Sequence, residues 1–365
     1  MKVSILRENI ARGLNIVGRM IRQRATLPVL SNIMLATDKG RLKLVSTDLE
    51  SAITCWIGAK IDEEGAITIP ARTIIDYLAS STDESIRLDA RGADIHIIST
   101  HHQATIKGIE AEEFPVIPEV KGGVALKLKS SEIKRAILST SIAAALDETR
   151  PVLAGIYFKG RANTLYIVAT DSYRLSEYKI EVGKSQKTLD VIIPSRTALE
   201  LARVLPDDDS EVAFSVGENQ AEFRIKDVNF LSRQIEGAFP DYEQIIPKEF
   251  VYRFESSKQE LSEAIKSASV FARDAGNSLK LDASSGQVVV SAAAAQVGDA
   301  KAKLAVESSG SSLTVAFNAK YIMDAVTAIE AETISFELSG ALSPGLIYSK
   351  ANPQYRYVIM PLRSE

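Results

Sequence analysis

A single cysteine, Cys55, stands in 365 residues. No disulfide framework can form within one chain, and a reducing, cytoplasmic setting is expected. No apolar run reaches the roughly 18 residues that a membrane span needs. The N-terminal MKVSILREN has no apolar signal core, so export and a membrane partner are not expected. No G-x-x-x-x-G-K-[ST] loop is present to cradle nucleotide phosphates. No Cys/His spacing of a zinc site occurs, and the adjacent His101 and His102 would fall on opposite faces of a strand. Neither metal nor cofactor is expected. An excess of positive charge is missing too: the net charge is −4. Nucleic acid as a partner would therefore need Lys and Arg concentrated locally.

What is present is an ordinary globular composition, 45% hydrophobic and 25% charged, on a chain long enough for two or three domains. The dominant feature is repetition. TIPARTIIDYLAS, IIPSRTALELARVL and VAFNAKYIMDAVTAI place Pro70, Pro194 and Asn318 at equivalent corners, two steps of 124 residues. TLPVLSNIML from Thr26 returns as TRPVLAGIYF from Thr149, and LVSTDLESAI from Leu44 returns as IVATDSYRLS from Ile167, both shifted by 123. EEFPVIPEV is echoed by GAFPDYEQIIP. In the third copy VVVSAAAA replaces the Thr-Asp strand, and YVIMPLR ends the chain. Four matches in one order predict three homologous domains, 1–121, 122–247 and 248–365.

Each unit reads as a strand and a helix, several short strands, the corner with a second helix, and closing strands. That pattern implies an α+β fold with helices gathered on one face of antiparallel sheet. In the first helix Leu6, Ile10, Leu14, Val17 and Ile21 share one side, and Arg12, Asn15, Arg19 and Arg22 the other. At the second corner Leu201 and Leu205 turn inward and Arg196 and Arg203 outward. At the third, Ile322, Val326 and Ile329 oppose Lys320. Taken singly these are solvated helix faces. Their recurrence in an acidic protein favours one continuous positive surface.

TLPVLSNI, TDLE, IPAR, RPVLAGI, VATDSYRLS, FPDYEQIIP, FNAKY and YVIMPLR, in order over the whole chain, closely resemble the bacterial replicative sliding clamp family, the DNA polymerase III beta subunits. The resemblance implies three repeated clamp domains and a head-to-tail homodimeric ring, with helices lining the inside and sheets outside. It implies a non-catalytic processivity factor that encircles double-stranded DNA without reading sequence. Arg24, Arg72 and Arg196 match family positions that approach DNA, whereas Thr73 stands where some relatives carry Lys. Expected partners are the replicative polymerase alpha subunit, an ATP-driven clamp loader, other polymerases and repair proteins, all through short linear peptides.

By the same resemblance, one part of a peptide groove comprises Arg150, Leu153, Thr170, Ser172, Tyr173, Arg174, Leu175, Pro240, Gln244, Ile245, Val358 and Met360. The other part comprises Asn318, Tyr321, Leu342, Pro344, Pro361, Leu362 and Arg363. Ser172 and Tyr173 replace a Gly-His pair of some relatives, and Gln244 an Arg. Val270 and Phe271 would meet the other chain. Plainer readings stand beside these. Leu175, Ile245 and Met360 are equally the core residues of a domain joint. The three units could form a protein-binding scaffold, or a resistant duplicate of the main clamp. An enzyme could use Asp48 or Asp171 as a general acid or base, although their equivalent places suggest turn caps. PDDDSE, Pro206 to Glu211, reads as a polar turn rather than a cation site.

Overall fold

The computed structural model describes residues 1–21, 27–120, 124–147, 149–183 and 188–363. Its α-helices are α1 (Arg7–Val17), α2 (Ala71–Ser80), α3 (Ser130–Ser141), α4 (Ser195–Val204), α5 (Lys258–Ala272) and α6 (Ala319–Ala328). Two fall in each repeat. The corner is a strand that runs without a break into a ten-residue helix: Ala66–Pro70 into α2, Leu189–Pro194 into α4, and Leu313–Asn318 into α6. Proline suits the first two corners because its fixed φ leaves the strand and its missing N–H would be unpaired at a helix start anyway. At the third corner Asn318 caps α6, its Oδ1 accepting the backbone N–H of Lys320 at 3.0 Å and of Tyr321 at 3.4 Å.

Helix faces follow the apolar spacing. Ile10, Leu14 and Val17 of α1 are buried, as are Leu201 and Leu205 around α4, and Ile322, Val326 and Ile329 around α6. The first helix is shorter than its periodicity suggests. It stops at Val17, and a 3-10 turn, Gly18–Met20, follows. Leu6 belongs to the preceding strand and is 50% exposed. Close approach of α1 to its sheet requires Gly13, where a Cβ would come within 2.5 Å of Leu44 Cδ1.

Each repeat contributes two blocks of antiparallel strands. The corner block runs Ser51–Gly58, Arg41–Thr47, Asn32–Asp38, Ala66–Pro70 in the first repeat. The second repeats the order as Arg174–Glu181, Thr164–Thr170, Gly155–Arg161, Leu189–Pro194, and the third as Gly298–Ala305, Gln287–Ala294, Ser278–Ser284, Leu313–Asn318. The other blocks end at Gln103–Lys107, Val228–Arg233 and Asn352–Ile359.

Sheets continue from one repeat into the next through these ends. Val228–Arg233 pairs with Ser51–Gly58, Ser232 opposite Ser51. Asn352–Ile359 pairs with Arg174–Glu181, Ile359 opposite Arg174. The middle repeat is thus bonded to the first through one block and to the third through the other. The chain accordingly divides into two compact units, Met1–Lys134 with Arg196–Gln234, and Arg135–Ser195 with Ile235–Glu365. Among the described residues, Gln103–Lys107 and Gly298–Ala305 keep one open edge each.

Replacing Asn318 with Ala should lower stability by about 1 kcal/mol in urea unfolding, and Asn318→Asp should retain most of it. Equal stability of all three proteins would show that α6 starts without its cap.

Candidate functional site

All the predicted groove residues belong to the second compact unit. Its organising element is the turn from Thr170 to Arg174. Thr170 Oγ1 donates to the Arg174 carbonyl at 2.6 Å and accepts the Ser172 N–H at 3.2 Å. Asp171 Oδ1 accepts the N–H groups of Tyr173 at 2.9 Å and Arg174 at 3.0 Å. Ser172 adopts a φ of 79°, which a small residue tolerates better than a branched one. The first repeat builds the same turn. Thr47 Oγ1 donates to the Ser51 carbonyl at 2.7 Å, Asp48 Oδ1 accepts the Ser51 N–H at 2.9 Å, and Leu49 has a φ of 74°.

Arg174 then turns a local motif into a tertiary one. Its side chain is 6% exposed and its Nε donates to Asp171 Oδ2 at 2.9 Å. Its Nη1 pairs with Asp324 of α6, and the guanidinium carbon lies 4.1 Å from the centre of the Tyr321 ring. Burial works against this charge, but Tyr357, Asp324 and Asp171 outweigh it and raise the Arg174 pKa further above its ordinary value. The chain end is fastened to the same place. Met360 N–H donates to the Tyr173 carbonyl at 2.9 Å, and Leu362 N–H to the Ala316 carbonyl at 2.8 Å. The turn of the second repeat, the C-terminal segment and the third corner thus meet. Arg150 Nη1 donates to Ser172 Oγ at 3.0 Å on the rim.

Exposure separates the predicted residues into two groups. Leu175 and Val358 are 0% and 1% exposed and form a core cluster with Val168, Tyr242 and Ile246. Leu153 is also buried. Tyr173, Leu342 and Ile245 are 61%, 72% and 40% exposed. Met360, Pro361, Leu362, Pro344, Asn318 and Tyr321 are half-buried, and Pro240, Gln244 and Arg363 are exposed. Gln244 Nε2 is engaged by Asp241 Oδ2 at 2.6 Å. Asp171 as an anchor for Arg174, and Asp324, were not read from sequence as groove residues. Asp324 lies three positions after Tyr321 on α6, and only the fold brings it to Arg174.

Family profiles for the N-terminal, central and C-terminal domains of the DNA polymerase III beta subunit match residues 1–118, 127–241 and 243–363. The chain belongs to this family. It is similar to the beta sliding clamp of Staphylococcus epidermidis, with 29% identity over 375 residues and all of both chains covered. Among solved structures it is similar to the beta subunit from Pseudomonas aeruginosa, with a TM-score of 0.96 and 30% identity, and to the sliding clamp from Bacillus subtilis, with a TM-score of 0.95 and 25% identity. Both alignments cover 100% of each chain. The α+β clamp fold of three domains is that of these relatives.

A beta subunit is a non-catalytic polymerase subunit, and the carboxylates fit that role. Asp48 and Asp171 are occupied by the backbone of their turns. In the stretch PDDDSE, Asp207, Asp208 and Asp209 pair with Lys134, Lys226 and Lys129. His101 and His102 do not fall on opposite sides. They occupy a turn in which His101 Nδ1 lies 2.7 Å from Asp83 Oδ1 and His102 Nδ1 3.0 Å from Asp83 Oδ2. His102, Ser99 and His101 together hold the Asp83 carboxyl below its usual range.

Of the basic positions, Arg12, Arg19, Arg72, Arg196, Arg203 and Lys320 are exposed. Arg72 lies 3.7 Å from Asp76, and Arg203 pairs with Glu200, so these two charges are partly offset locally. Arg22 and Arg24 lie outside the described residues.

Arg174→Ala should cost roughly 3 kcal/mol in urea unfolding, because it leaves Asp171 and Asp324 short of a buried partner. Tyr173→Ala should cost little, and similar losses for both would deny Arg174 its structural role. Asp83 contributes stability that is present above the ordinary carboxylate pKa of about 4 and is lost as pH falls below it. Asp83→Asn should therefore lower the melting temperature at neutral pH and narrow its fall on acidification; an unchanged acid limb would contradict this.

Proposed function

We infer that this chain acts as a DNA sliding clamp, two copies closing head to tail into a ring around duplex DNA. Family membership supports the processivity role. The observation that carries the ring is the pair of open edges. Two of three equivalent joints are made within the chain, by Val228–Arg233 on Ser51–Gly58 and by Asn352–Ile359 on Arg174–Glu181. The third would join Gln103–Lys107 to Gly298–Ala305, whose edges are open at opposite ends of the repeat series. Unpaired edges seek strands, and a second copy supplies both. Two equal heterologous contacts then close a ring of six domains, taken as 1–121, 122–247 and 248–365 in each chain.

The seam has a register. Ser51 and Arg174 begin the strands that pair at Ser232 and Ile359. On the pattern of the Arg174–Ile359 joint, where the first residue of one strand faces the last of the other, Gly298 would face Lys107 of the second copy and Ala300 would face Thr105. Val270, 57% exposed, and half-buried Phe271 end α5 beside this edge; a Cβ at Gly298 would lie 3.6 Å from Phe271 Cε1. They would supply apolar area to the seam.

In this reading Arg12, Arg19, Arg22, Arg24, Arg72, Arg196, Arg203 and Lys320 face the DNA and touch phosphates without reading bases, as sliding requires. Polymerase, clamp loader and repair proteins are held by short peptides at the groove, which raises the effective concentration of polymerase at the primer end. A peptide's apolar side chains would meet Tyr173, Ile245, Leu342 and Met360, above the buried floor of Leu175 and Val358.

Loaded by a clamp loader, the protein should remain on nicked circular DNA and be lost on linearisation; equal loss from both would sink the ring. Thr105→Cys with Ala300→Cys should form a covalent dimer on oxidation. Replacing Val270 and Phe271 with Asp should give folded monomers, since each large side chain loses roughly 1.5–3 kcal/mol of burial. A double variant still dimeric at low micromolar concentration contradicts that placement. Separately, Met360→Ala should weaken a groove peptide with Gln at its head and Leu and Phe at its tail by about tenfold, roughly 1.4 kcal/mol, with retention on circular DNA unchanged. Wild-type affinity would put the groove elsewhere.

A further inference from the structure

Along the strand Arg174–Glu181, Leu175, Glu177 and Lys179 alternate onto one face. At about 3.3 Å per residue, Lys179 lies roughly 13 Å beyond Leu175. The neighbouring strand keeps pace, Val358 opposite Leu175 and Arg356 opposite Glu177. The segment that covers Leu175 with Tyr242 and Ile246 also runs on over this face. Past it opens a cleft lined by Tyr166, Glu177, Lys179, Glu243, Ile246, Pro247, Lys248 and Arg356.

Polar groups in this cleft gather on one buried carboxylate. Glu177 is 0% exposed, with Arg356 Nε at 2.7 Å and Lys179 Nζ at 3.8 Å. Arg356 Nε and the buried Tyr242 hydroxyl both turn to this carboxylate, closed off from solvent. Burial, then the charge of Glu177 and a hydrogen bond to it, raise the Tyr242 pKa, so its hydroxyl remains a protonated donor to Glu177. The charges are also uneven. Glu243 is taken by Lys159 at 2.5 Å, which leaves Lys179, Lys248 and Arg356 around one wholly buried carboxylate. Arg356 and Lys179 keep 29% and 36% of their side chains exposed. Glu177 itself cannot be reached from solvent; it holds the guanidinium from within.

We propose that this cleft is an acidic-residue subsite: it takes a carboxylate side chain from the partner segment flanking the peptide seated in the groove. The proposal rests on the groove reading above and adds the chemistry of the flank. The incoming carboxylate answers the charge of Lys179 and Lys248 and of the exposed part of the Arg356 side chain.

The test uses the full-length protein and three synthetic peptides, one holding only the groove motif, one with neutral Gln-rich flanks and one with Glu-rich flanks. At low salt the Glu-flanked peptide should bind roughly three- to tenfold tighter than the Gln-flanked one. That gain should shrink as salt rises and vanish in a Lys179→Gln, Lys248→Gln double variant that still binds the motif-only peptide as wild type does. Equal affinity for both flanks, or a gain that survives in the double variant, overturns the subsite. If the motif-only peptide fails to bind, the groove reading falls by itself. The cleft is then judged by glutarate as a free probe, which should protect Lys179 and Lys248 from an amine-acylating reagent. Equal labelling with and without glutarate would also overturn it.

Discussion

The rest of this structure depends on antiparallel pairing of strand edges between repeats. A half-sheet that ends in unpaired N–H and C=O groups must find another strand, water or a partner chain. Here the last strand of one repeat takes the strand that follows the Thr-Asp turn of the repeat before it, as Val228–Arg233 does with Ser51–Gly58. That one rule explains why the middle repeat is divided between two compact units. Among the described residues it leaves one pair of edges at the places where the other joints form, Gln103–Lys107 and Gly298–Ala305, to which a second copy is the complement inferred above.

The Thr-Asp turn gains its importance from standing at each of the two internal joints. In the first repeat it is self-contained, with Thr47 and Asp48 satisfying the backbone around Ser51. In the second repeat the residue at the place of Ser51 is Arg174, and the same turn becomes a buried ionic node that reaches α6 through Asp324 and Tyr321. A charge so placed must be paired on every side or be destabilising. Its pairing orders the surface around Tyr173 and Met360, at one joint and not at the other. A repeated scaffold therefore carries an unrepeated surface.

The face running from Leu175 to Lys179 changes from closely packed aliphatic side chains to a polar cleft within four residues. The covering segment from Phe239 to Pro247 makes both parts. Phe239, Tyr242 and Ile246 pack on the apolar end, while Tyr242 also lends its hydroxyl to the polar end beside Glu177. In the proposed reading, an apolar anchor beside a cationic rim would suit partners that share an anchor and differ in their flanks.

Much of this was legible in the residues themselves. A period of 124 between Pro70, Pro194 and Asn318, with apolar residues at helical spacing after each corner, determined the three repeats, the helix pairs and the fold class, because periodicity is a local property of the chain. The extent of α1 was not: it ends at Val17, where a 3-10 turn takes over. Nor could His101 and His102 be placed, since a turn carries them both to Asp83 across 18 and 19 residues. Leu175 read as groove or core and Val358 as groove, and the burial of both is settled by Tyr242 and Ile246, far away in sequence. By itself the sequence determined which units repeat and which side of each helix is apolar. Only the tertiary structure decided which edges stay open, that Asp324 completes Arg174, and that Arg356 and Tyr242 meet on the buried Glu177, because each depends on strands and side chains that meet only after folding.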